Sequence, residues 1–412
     1  MHPSRRLYAA GAVALAALPL AMALANRSSP LVVAIAALLF LAGRCLEDAG
    51  AVRRLLLPPL ATPPGLAALV FLAWCAATLA WTPFPALSLR MAGEFVPTLV
   101  AAYLLARLAP GRIPGFAAPL SAAMVVLAGL TIAVGLAAGL PLQRALGQRM
   151  AEFVYNRPAL TLAVVAGPLA LVLWRQGRRV VALAALAFAA LGILRSVSGA
   201  AAMGLAAGLA MFVLGRLLPA RLAVGLAGLG LGLAVALAPV EGDLLDQFMP
   251  EAAHERLVHS SSRARVAIAR SFGAAVAADP WVGAGFGTSA RFAEAPVAAR
   301  LDPEMRTLLA VGHPHNAFLQ VWAELGTAGA VLAAAVLMLM LAPLVAWPAG
   351  ERATALALVA AAAAIAFVEH NTWAAWWTAG LGAAITWLRD ARSRTTPHTL
   401  SRPEAGPDRT LS

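Results

Sequence analysis

Lysine is missing from this sequence of 412 residues, so all 31 of its basic residues are arginines. Without a lysine, the glycine-rich segment GAGFG at residues 283–287 cannot be a Walker-type phosphate loop, and we interpret it as a backbone turn. Cysteine is almost as rare, because only Cys45 and Cys75 are present. Their wide separation excludes closely spaced metal-ligand pairs, and we expect free thiols without a disulfide framework.

Charge is scarce as well, since charged residues make up 12% of the chain and hydrophobic residues 61%. A soluble protein cannot bury so much apolar surface. Runs of about 20 apolar residues, the length that crosses a bilayer as a helix, recur along the whole sequence. They lack the alternation of every second residue that the strands of a membrane barrel show. The sequence therefore predicts an all-α, polytopic transmembrane protein embedded in a lipid bilayer. We place twelve spans at residues 7–25, 30–43, 63–81, 92–106, 116–140, 159–174, 180–195, 199–215, 222–239, 316–346, 353–369 and 372–388.

The arginines are distributed unevenly between the predicted loops. With the N-terminus in the cytoplasm, the short loops carry 18 arginines on the cytoplasmic side and six outside. This bias favours that orientation, with both termini cytoplasmic. The net charge of +12 is thus explained by topology, and we expect no nucleic-acid partner. The predicted organisation is spans 1–9 in residues 1–239, an external loop region at 240–315, spans 10–12 in 316–388, and a disordered cytoplasmic tail at 389–412, which is rich in Pro, Ser and Thr.

The external loop region is the only sizeable segment outside the predicted spans. Its sequence AHERLVHSSSRARVAIARSFGAAVAADP predicts an amphipathic helix near the membrane surface. The segment WVGAGFGTS follows as the glycine-rich turn.

The loop ends in the sequence HPHNAFLQVWAELGTAG, where a helix is predicted to begin. Proline is favoured at the first helical position, so Pro314 would place His315 and Asn316 in the first turn. Free N–H groups there can hold an anion, and the helix dipole lowers the pKa of an imidazole and so favours a neutral base. Asn316, Gln320 and Glu324 follow at intervals of four residues and predict one polar stripe that enters the membrane.

Each of these residues has a structural alternative. His313 is either a helix-cap residue or part of the site. Glu324 is interpreted as a buried hydrogen-bonding partner between helices, with an acid or base role as the alternative. For His315 we favour a functional role, because ionisable residues at the edge of a span beside a polar stripe mark functional sites.

The external arginines are candidates for binding phosphate, since a guanidinium can contact phosphate oxygens bidentately. Arg263, Arg265 and Arg270 lie on the amphipathic segment, Arg157 precedes the sixth span, and Arg195 ends the seventh. The alternative is pairing with lipid headgroups or with the nine acidic residues of the loop. No paired carboxylates, HExxH or CxxC motif indicates a metal site.

Two segments together resemble the O-antigen ligase and O-antigen polymerase superfamily of bacterial envelope glycosyltransferases. They are SSRARVAIARSFGAAVAADPWVGAGFG and HPHNAFLQVWAELGTAG. The resemblance rests on an arginine about fifteen residues before a proline, the turn P-hydrophobic-G-x-G-F-G, and a helix start H-N-x-x-L-Q followed by E-x-G-x-x-G. It covers about 70 residues closely, and the layout of spans around one large external loop extends it to most of the chain.

The resemblance implies a donor glycan carried on undecaprenyl pyrophosphate. The glycan is transferred at the periplasmic face of the inner membrane to a hydroxyl of lipid A-core or of another glycan, with no metal or other cofactor. The family's histidine corresponds to His315 and one family arginine to Arg265. The second family arginine follows an S-x-S motif, where this chain has Gly199, so Arg195 or Arg157 is its candidate substitute. Asn316 and His313 are further candidates for substrate binding.

The residues agree with this chemistry. A pyrophosphate leaving group develops negative charge that arginines can stabilise, and the acceptor hydroxyl needs a general base. Ligase and polymerase share this logic, and the HPHN helix with its single large loop favours a ligase in a lipopolysaccharide pathway. A transporter would instead carry its charges near the bilayer midplane, and a metal-dependent lipid-sugar transferase would carry acidic residues in its first external loop, where this chain has NRSSP.

Overall fold

The computed structural model describes residues 2–145, 147, 150–256, 262–368 and 371–394. Every regular element within these residues is helical, which confirms the predicted fold class. The α-helices are α1 (Pro3–Leu24), α2 (Ser29–Leu60), α3 (Pro63–Ala77), α4 (Pro85–Leu108), α5 (Ala117–Ala137), α6 (Pro141–Ala145), α7 (Asn156–Arg175), α8 (Arg179–Arg195), α9 (Gly199–Leu217), α10 (Ala220–Ala236), α11 (Glu241–Phe248), α12 (Glu251–Arg256), α13 (Ser262–Ala278), α14 (Pro303–Leu309), α15 (Ala317–Leu341), α16 (Ala349–Val368) and α17 (Ala375–Ser393).

Each of the twelve predicted spans overlaps one of these helices, but fewer meet the length and composition of a span. Among the described residues, nine helices are long and apolar enough to cross a membrane, or ten if α10 and the segment Ala238–Phe248, bent by 53°, form one span. The helix α8 is short, with 17 residues, and α17 carries Arg389, Asp390 and Arg392. The structure therefore confirms a polytopic helical protein, while the count of twelve stays a prediction.

Two predicted boundaries are wrong. The second span was predicted as a short segment at 30–43, but α2 has 32 residues and contains a break in helical geometry at Asp48. The tail was predicted to begin at residue 389, whereas α17 continues to Ser393. The rest of the predicted tail, from residue 395, lies outside the described residues.

Small residues allow the central helices to approach closely. On α9, Gly204 faces Ile365 and Gly215 faces Ala353, both on α16. A Cβ atom added at Gly204 would lie 2.7 Å from the Ile365 side chain, which would then have to move. Such contacts between small residues are the usual means by which membrane helices pack, because apolar side chains gain little by leaving lipid.

The bundle has two ends that differ in chemistry. We call the end at which α15 and α17 begin the histidine end, because His313 and His315 immediately precede α15 there. The opposite end, where α4 and α17 finish, is called the arginine end. A helix rises about 1.5 Å per residue, so the 19 residues of α17 separate the two ends by about 28 Å.

The external loop region folds over the histidine end. Its predicted amphipathic helix appears as α12 and α13, and residues 257–261 between them lie outside the described residues. On α13 an apolar face is buried, with Phe272 packed 5.0 Å from the ring of Phe292 in the 3-10 segment Ser289–Glu294. This small core holds α13 in a fixed position above the start of α15.

Candidate functional site

The helix α15 begins three residues later than predicted. Its first residue is Ala317, and Asn316 is the N-cap, whose Oδ1 accepts hydrogen bonds from the backbone N–H groups of Phe318 and Leu319 at 2.8 and 3.2 Å. Pro314 is therefore not in the first turn, and neither is His315. The helix begins after the asparagine and not at the proline, because the asparagine side chain accepts hydrogen bonds from N–H groups that have no partner within the helix.

His315 takes an unusual backbone conformation just before this cap. Its φ angle is +54°, in the left-handed region that is uncommon for residues other than glycine, although histidine is found there more often than most. The ring of His313 packs edge-on against the ring of His315, with centroids 4.1 Å apart. The Nδ1 atoms of both rings are buried and have no hydrogen-bonding partner among the described residues. Strained backbone and unsatisfied polar atoms together are typical of functional sites.

Arg265 completes this cluster from α13. Its Nη1 donates a hydrogen bond to the carbonyl oxygen of Val368, the last residue of α16, which fixes the guanidinium between two helices. Burial, together with the nearby His313 and Arg265, lowers the pKa of His315 to about 3. Burial and Arg265 also lower the pKa of His313. Both imidazoles are thus neutral at physiological pH. The cause is burial and adjacent charge, whereas the sequence had indicated the helix dipole.

Glu324 lies below the histidines and is fully satisfied. Its Oε2 accepts hydrogen bonds from the Gly287 N–H and the Trp373 indole N–H, both at 2.6 Å. Its Oε1 accepts bonds from the Ser289 N–H at 3.0 Å, the Ser289 hydroxyl, and Gln320 Nε2 at 3.0 Å. The side chain is completely buried. This carboxylate therefore joins the glycine-rich turn, α15 and the segment before α17.

The glycine-rich turn docks directly on a break in α15. Gly326 has a φ of +64° and interrupts the helix, which frees backbone groups on either side of it. The Glu324 carbonyl oxygen accepts a hydrogen bond from the Gly285 N–H at 2.8 Å, and the Thr327 N–H donates to the Pro280 carbonyl oxygen at 2.8 Å. A Cβ atom added at Gly283 would lie 2.5 Å from the Glu324 carbonyl carbon. The motifs P-W-V-G-A-G and E-L-G thus meet because only glycine permits this approach.

The polar stripe predicted from spacing has partners that the spacing did not reveal. Asn316 Nδ2 donates to Glu241 at the start of α11. Gln320 Nε2 donates to Asn371 Oδ1 at 3.3 Å, and Gln320 Oε1 accepts from the Thr372 N–H at 3.0 Å. Asn371 and Thr372 stand between hydrophobic runs, and that break in hydropathy was the only signal that could have indicated them.

The structure does not join Arg195 or Arg157 directly to the histidine cluster. Arg195 is exposed at the end of α8. It lies four residues before the start of α9, which begins beside the end of α16, since Gly204 faces Ile365 and Gly215 faces Ala353. Arg157 lies at the start of α7, and its guanidinium is 5.3 Å from the ring centre of Trp376 at the start of α17. Both residues are therefore at the histidine end.

Arg263 and Arg270, the other two candidate arginines of the amphipathic segment, have carboxylate partners. Arg270 contacts Asp243 and Asp246, each at 2.9 Å, and Arg263 contacts Glu251. Among the residues that the structure describes, no group of three or more His, Cys, Asp or Glu side chains is arranged to hold a metal ion.

An apolar cavity of about 310 Å³ lies beside this site. It runs along α10 and α11, with Leu237, Leu244 and Phe367 among its walls and Glu241 at its border. Phe367 immediately precedes Val368, whose carbonyl oxygen accepts the hydrogen bond from Arg265.

The fold and this site define a multi-pass helical membrane protein with a cluster of histidine and arginine at one end. Residues 184–334 match the family model described as O-antigen ligase. The match includes the histidines, Arg265, Arg195 and Glu324, whereas Arg157 and the segment before α17 lie outside it. It confirms the predicted resemblance to the O-antigen ligase superfamily. The chain has no match among curated proteins.

Proposed function

We propose that the chain is an O-antigen ligase-like glycosyltransferase. It moves a glycan from undecaprenyl pyrophosphate to a hydroxyl of lipid A-core at the periplasmic face of the inner membrane, without a metal. The observation that carries this proposal is the cluster of His313, His315 and Arg265, in which two neutral imidazoles with unpaired Nδ1 atoms adjoin a fixed guanidinium.

In the proposed reaction, an unprotonated ring nitrogen of His315 accepts the proton of the acceptor hydroxyl. The hydroxyl oxygen then forms a bond to the anomeric carbon of the donor. The bond between that carbon and the pyrophosphate oxygen breaks, and the electron pair leaves with the pyrophosphate. Arg265, together with Arg195 or Arg157, stabilises the charge that develops on this leaving group. A general base contributes about 10²–10⁴-fold to such a step.

The apolar cavity supports a lipid-linked donor. Its walls along α10 and α11 are mainly hydrophobic, and one of them, Phe367, immediately precedes Val368, whose carbonyl oxygen accepts a hydrogen bond from Arg265. We infer that part of the polyprenyl chain occupies this cavity, with its pyrophosphate directed towards the arginine. Burial of the chain would also hold the donor by the hydrophobic effect, at about 25 cal/mol per Å² of apolar surface.

The orientation in the membrane is part of the proposal. The excess of arginines in short loops on one side favours cytoplasmic termini, which places the histidine end in the periplasm. Alkaline phosphatase fused after Gly287 should be active, and the same reporter fused after Arg394 should be inactive. Activity at the second site would refute this orientation.

The function is tested with purified protein and a lipid-linked glycan, with lipid A-core and free glycan offered as separate acceptors. We expect transfer to lipid A-core. Transfer only to free glycan would identify the chain as a polymerase, and no transfer to either acceptor, with movement of the lipid across vesicles, would favour a transporter. Loss of activity with EDTA and its return with Mg²⁺ or Mn²⁺ would contradict the metal-independent reaction.

The base is tested with His315→Asn. Asparagine tolerates a positive φ and cannot act as a base near neutral pH, so the backbone is kept while the chemistry is removed. We expect kcat to fall by about 10²-fold or more with donor binding near normal. His313→Asn in parallel shows whether the neighbouring imidazole carries the role instead. Near-normal turnover of well-folded His315→Asn would refute the assignment.

A further inference from the structure

The arginine end of the bundle brings three guanidinium groups together. Arg107 lies in the last turn of α4, and Arg389 and Arg392 lie near the end of α17, which packs along α4. Arg107 donates from Nε and Nη2 to the carbonyl oxygen of Leu55 at 3.1 and 2.9 Å. Arg392 donates from Nε to Glu351 at 2.8 Å. Two of the three are therefore held in place by protein acceptors.

Arg389 differs from both. Its Nε is buried and has no hydrogen-bonding partner among the described residues. The guanidinium groups of Arg107 and Arg392 are close enough to repel it. Arg389 is partly buried, and a partly buried cation with like-charged neighbours and no carboxylate partner is unfavourable. A negatively charged group brought to this position would therefore be bound by the protein.

The carboxylates nearest to this cluster are already engaged. Glu351 is buried and contacts both Arg175 at 2.6 Å and Arg392. Asp390 accepts bonds from Arg394 at 2.8 Å and from the Gly111 N–H at 2.9 Å. Within the described residues, no carboxylate pairs with Arg389. The negative charge must therefore come from elsewhere.

The position of the cluster indicates the source of that charge. The three arginines lie near the end of α4, a candidate membrane span, and near the end of α17, which packs along it. Phosphate groups of lipids are found at the ends of membrane spans, and basic pockets between helix ends bind anionic headgroups. Tyr103 donates to the carbonyl oxygen of Leu56 at 2.5 Å and borders the cluster. The adjacent Leu57 is 49% exposed, which provides an apolar surface for an acyl chain.

We propose that Arg107, Arg389 and Arg392 form a binding site for the phosphate group of an anionic phospholipid, at the end of the protein opposite to the histidine cluster. The lipid supplies the counter-charge that Arg389 lacks, and it fixes the ends of α4 and α17 together. This site is independent of the proposed glycosyl transfer.

The test uses the full chain purified in detergent, so that Glu404 and Asp408 are present. Native mass spectrometry measures the binding of cardiolipin, phosphatidylglycerol and phosphatidylcholine to wild type, Arg389→Gln and Arg178→Gln. Arg178 is a matched control because it is exposed at the same end of the bundle. We expect Arg389→Gln to bind the two anionic lipids at least 10-fold more weakly, with Arg178→Gln within 2-fold of wild type.

Thermal unfolding separates this role from a structural one. Without lipid, Arg389→Gln should be at least as stable as wild type, because it removes an uncompensated charge. Added anionic lipid should raise the Tm of wild type and raise that of Arg389→Gln less. Equal lipid binding by the two proteins, or an equal loss in Arg178→Gln, would overturn the proposal. An equal rise in Tm with inorganic phosphate alone would overturn a lipid as the ligand.

Discussion

Glu324 and His315 belong to one short segment, yet they differ in the hydrogen bonding of their buried polar atoms. Glu324 accepts five hydrogen bonds and is sealed from solvent. His315 and its neighbour His313 have ring nitrogens that are buried without a partner. A saturated carboxylate has no capacity left for a substrate, so it can only organise the structure. The unsatisfied imidazoles retain that capacity, which is the physical reason for assigning the chemistry to them.

The largest expected effect on this comparison is that of Glu324→Ala. The substitution leaves the N–H groups of Gly287, Ser289 and Trp373 buried without acceptors, at about 1–3 kcal/mol each. We expect loss of folded protein, measured by size-exclusion chromatography in detergent. Glu324→Gln keeps one oxygen acceptor and should lose less. Glu94→Gln is the control, since that side chain is 57% exposed and forms an ion pair with Arg90 at 3.3 Å. A monodisperse, thermally stable Glu324→Ala protein would refute the structural role assigned to Glu324.

A smaller effect is expected at the contact between the glycine-rich turn and α15. Gly283→Ala introduces a Cβ atom 2.5 Å from the Glu324 carbonyl carbon, at a φ of +67°. Crowding and backbone strain together should lower the free energy of unfolding by about 2–5 kcal/mol. Gly93→Ala on α4 meets no atom within 4 Å and should be neutral or slightly stabilising. Comparable melting temperatures of the two variants would show that the turn does not support the site.

Substitutions of Arg265 test the functional role proposed for the histidine cluster. Arg265→Ala should weaken donor binding by about 10–100-fold and slow turnover, because a charged hydrogen bond contributes about 1.5–3 kcal/mol. Arg265→Lys should recover only part of this, since lysine is a point charge without the planar fork. Donor binding is measured with the lipid-linked glycan, and Arg263→Ala and Arg270→Ala serve as controls. Arg195→Ala and Arg157→Ala, compared in the same assay, identify the second arginine. Unchanged donor affinity in Arg265→Ala would argue against its contact with pyrophosphate.

The smallest effect is an expected absence of pH dependence. Burial, with His313 and Arg265, lowers the pKa of His315 from 6.5 to about 3. The base is therefore neutral above that value and is protonated, and so lost, only as the pH falls towards 3. The value of kcat/KM should show no decrease near pH 6.5 that arises from this group. A decrease centred near pH 6.5 would mean that His315 is more exposed in solution than in this structure.

The sequence predicted the site unevenly, and the residues show why. Asn316, Gln320 and Glu324 were found because helical periodicity is local. Glu241, Trp373 and Asn371 were missed as partners, because each meets the stripe through a contact that joins distant parts of the chain. The start of α15 was misplaced because a proline and an asparagine both signal a helix N-terminus, and local sequence does not decide between them.

The sequence by itself determined that the chain is helical and crosses a membrane, since long apolar runs with few charges have no other stable arrangement. It also indicated which residues are candidates for the chemistry, because few polar residues remain at the ends of those runs. Only the tertiary structure decided which of these residues have hydrogen-bonding partners within the protein. Whether a buried group has a partner depends on segments that are distant in the sequence. Such segments supply hydrogen-bond donors to Glu324 but no partner to Nδ1 of His315 among the described residues.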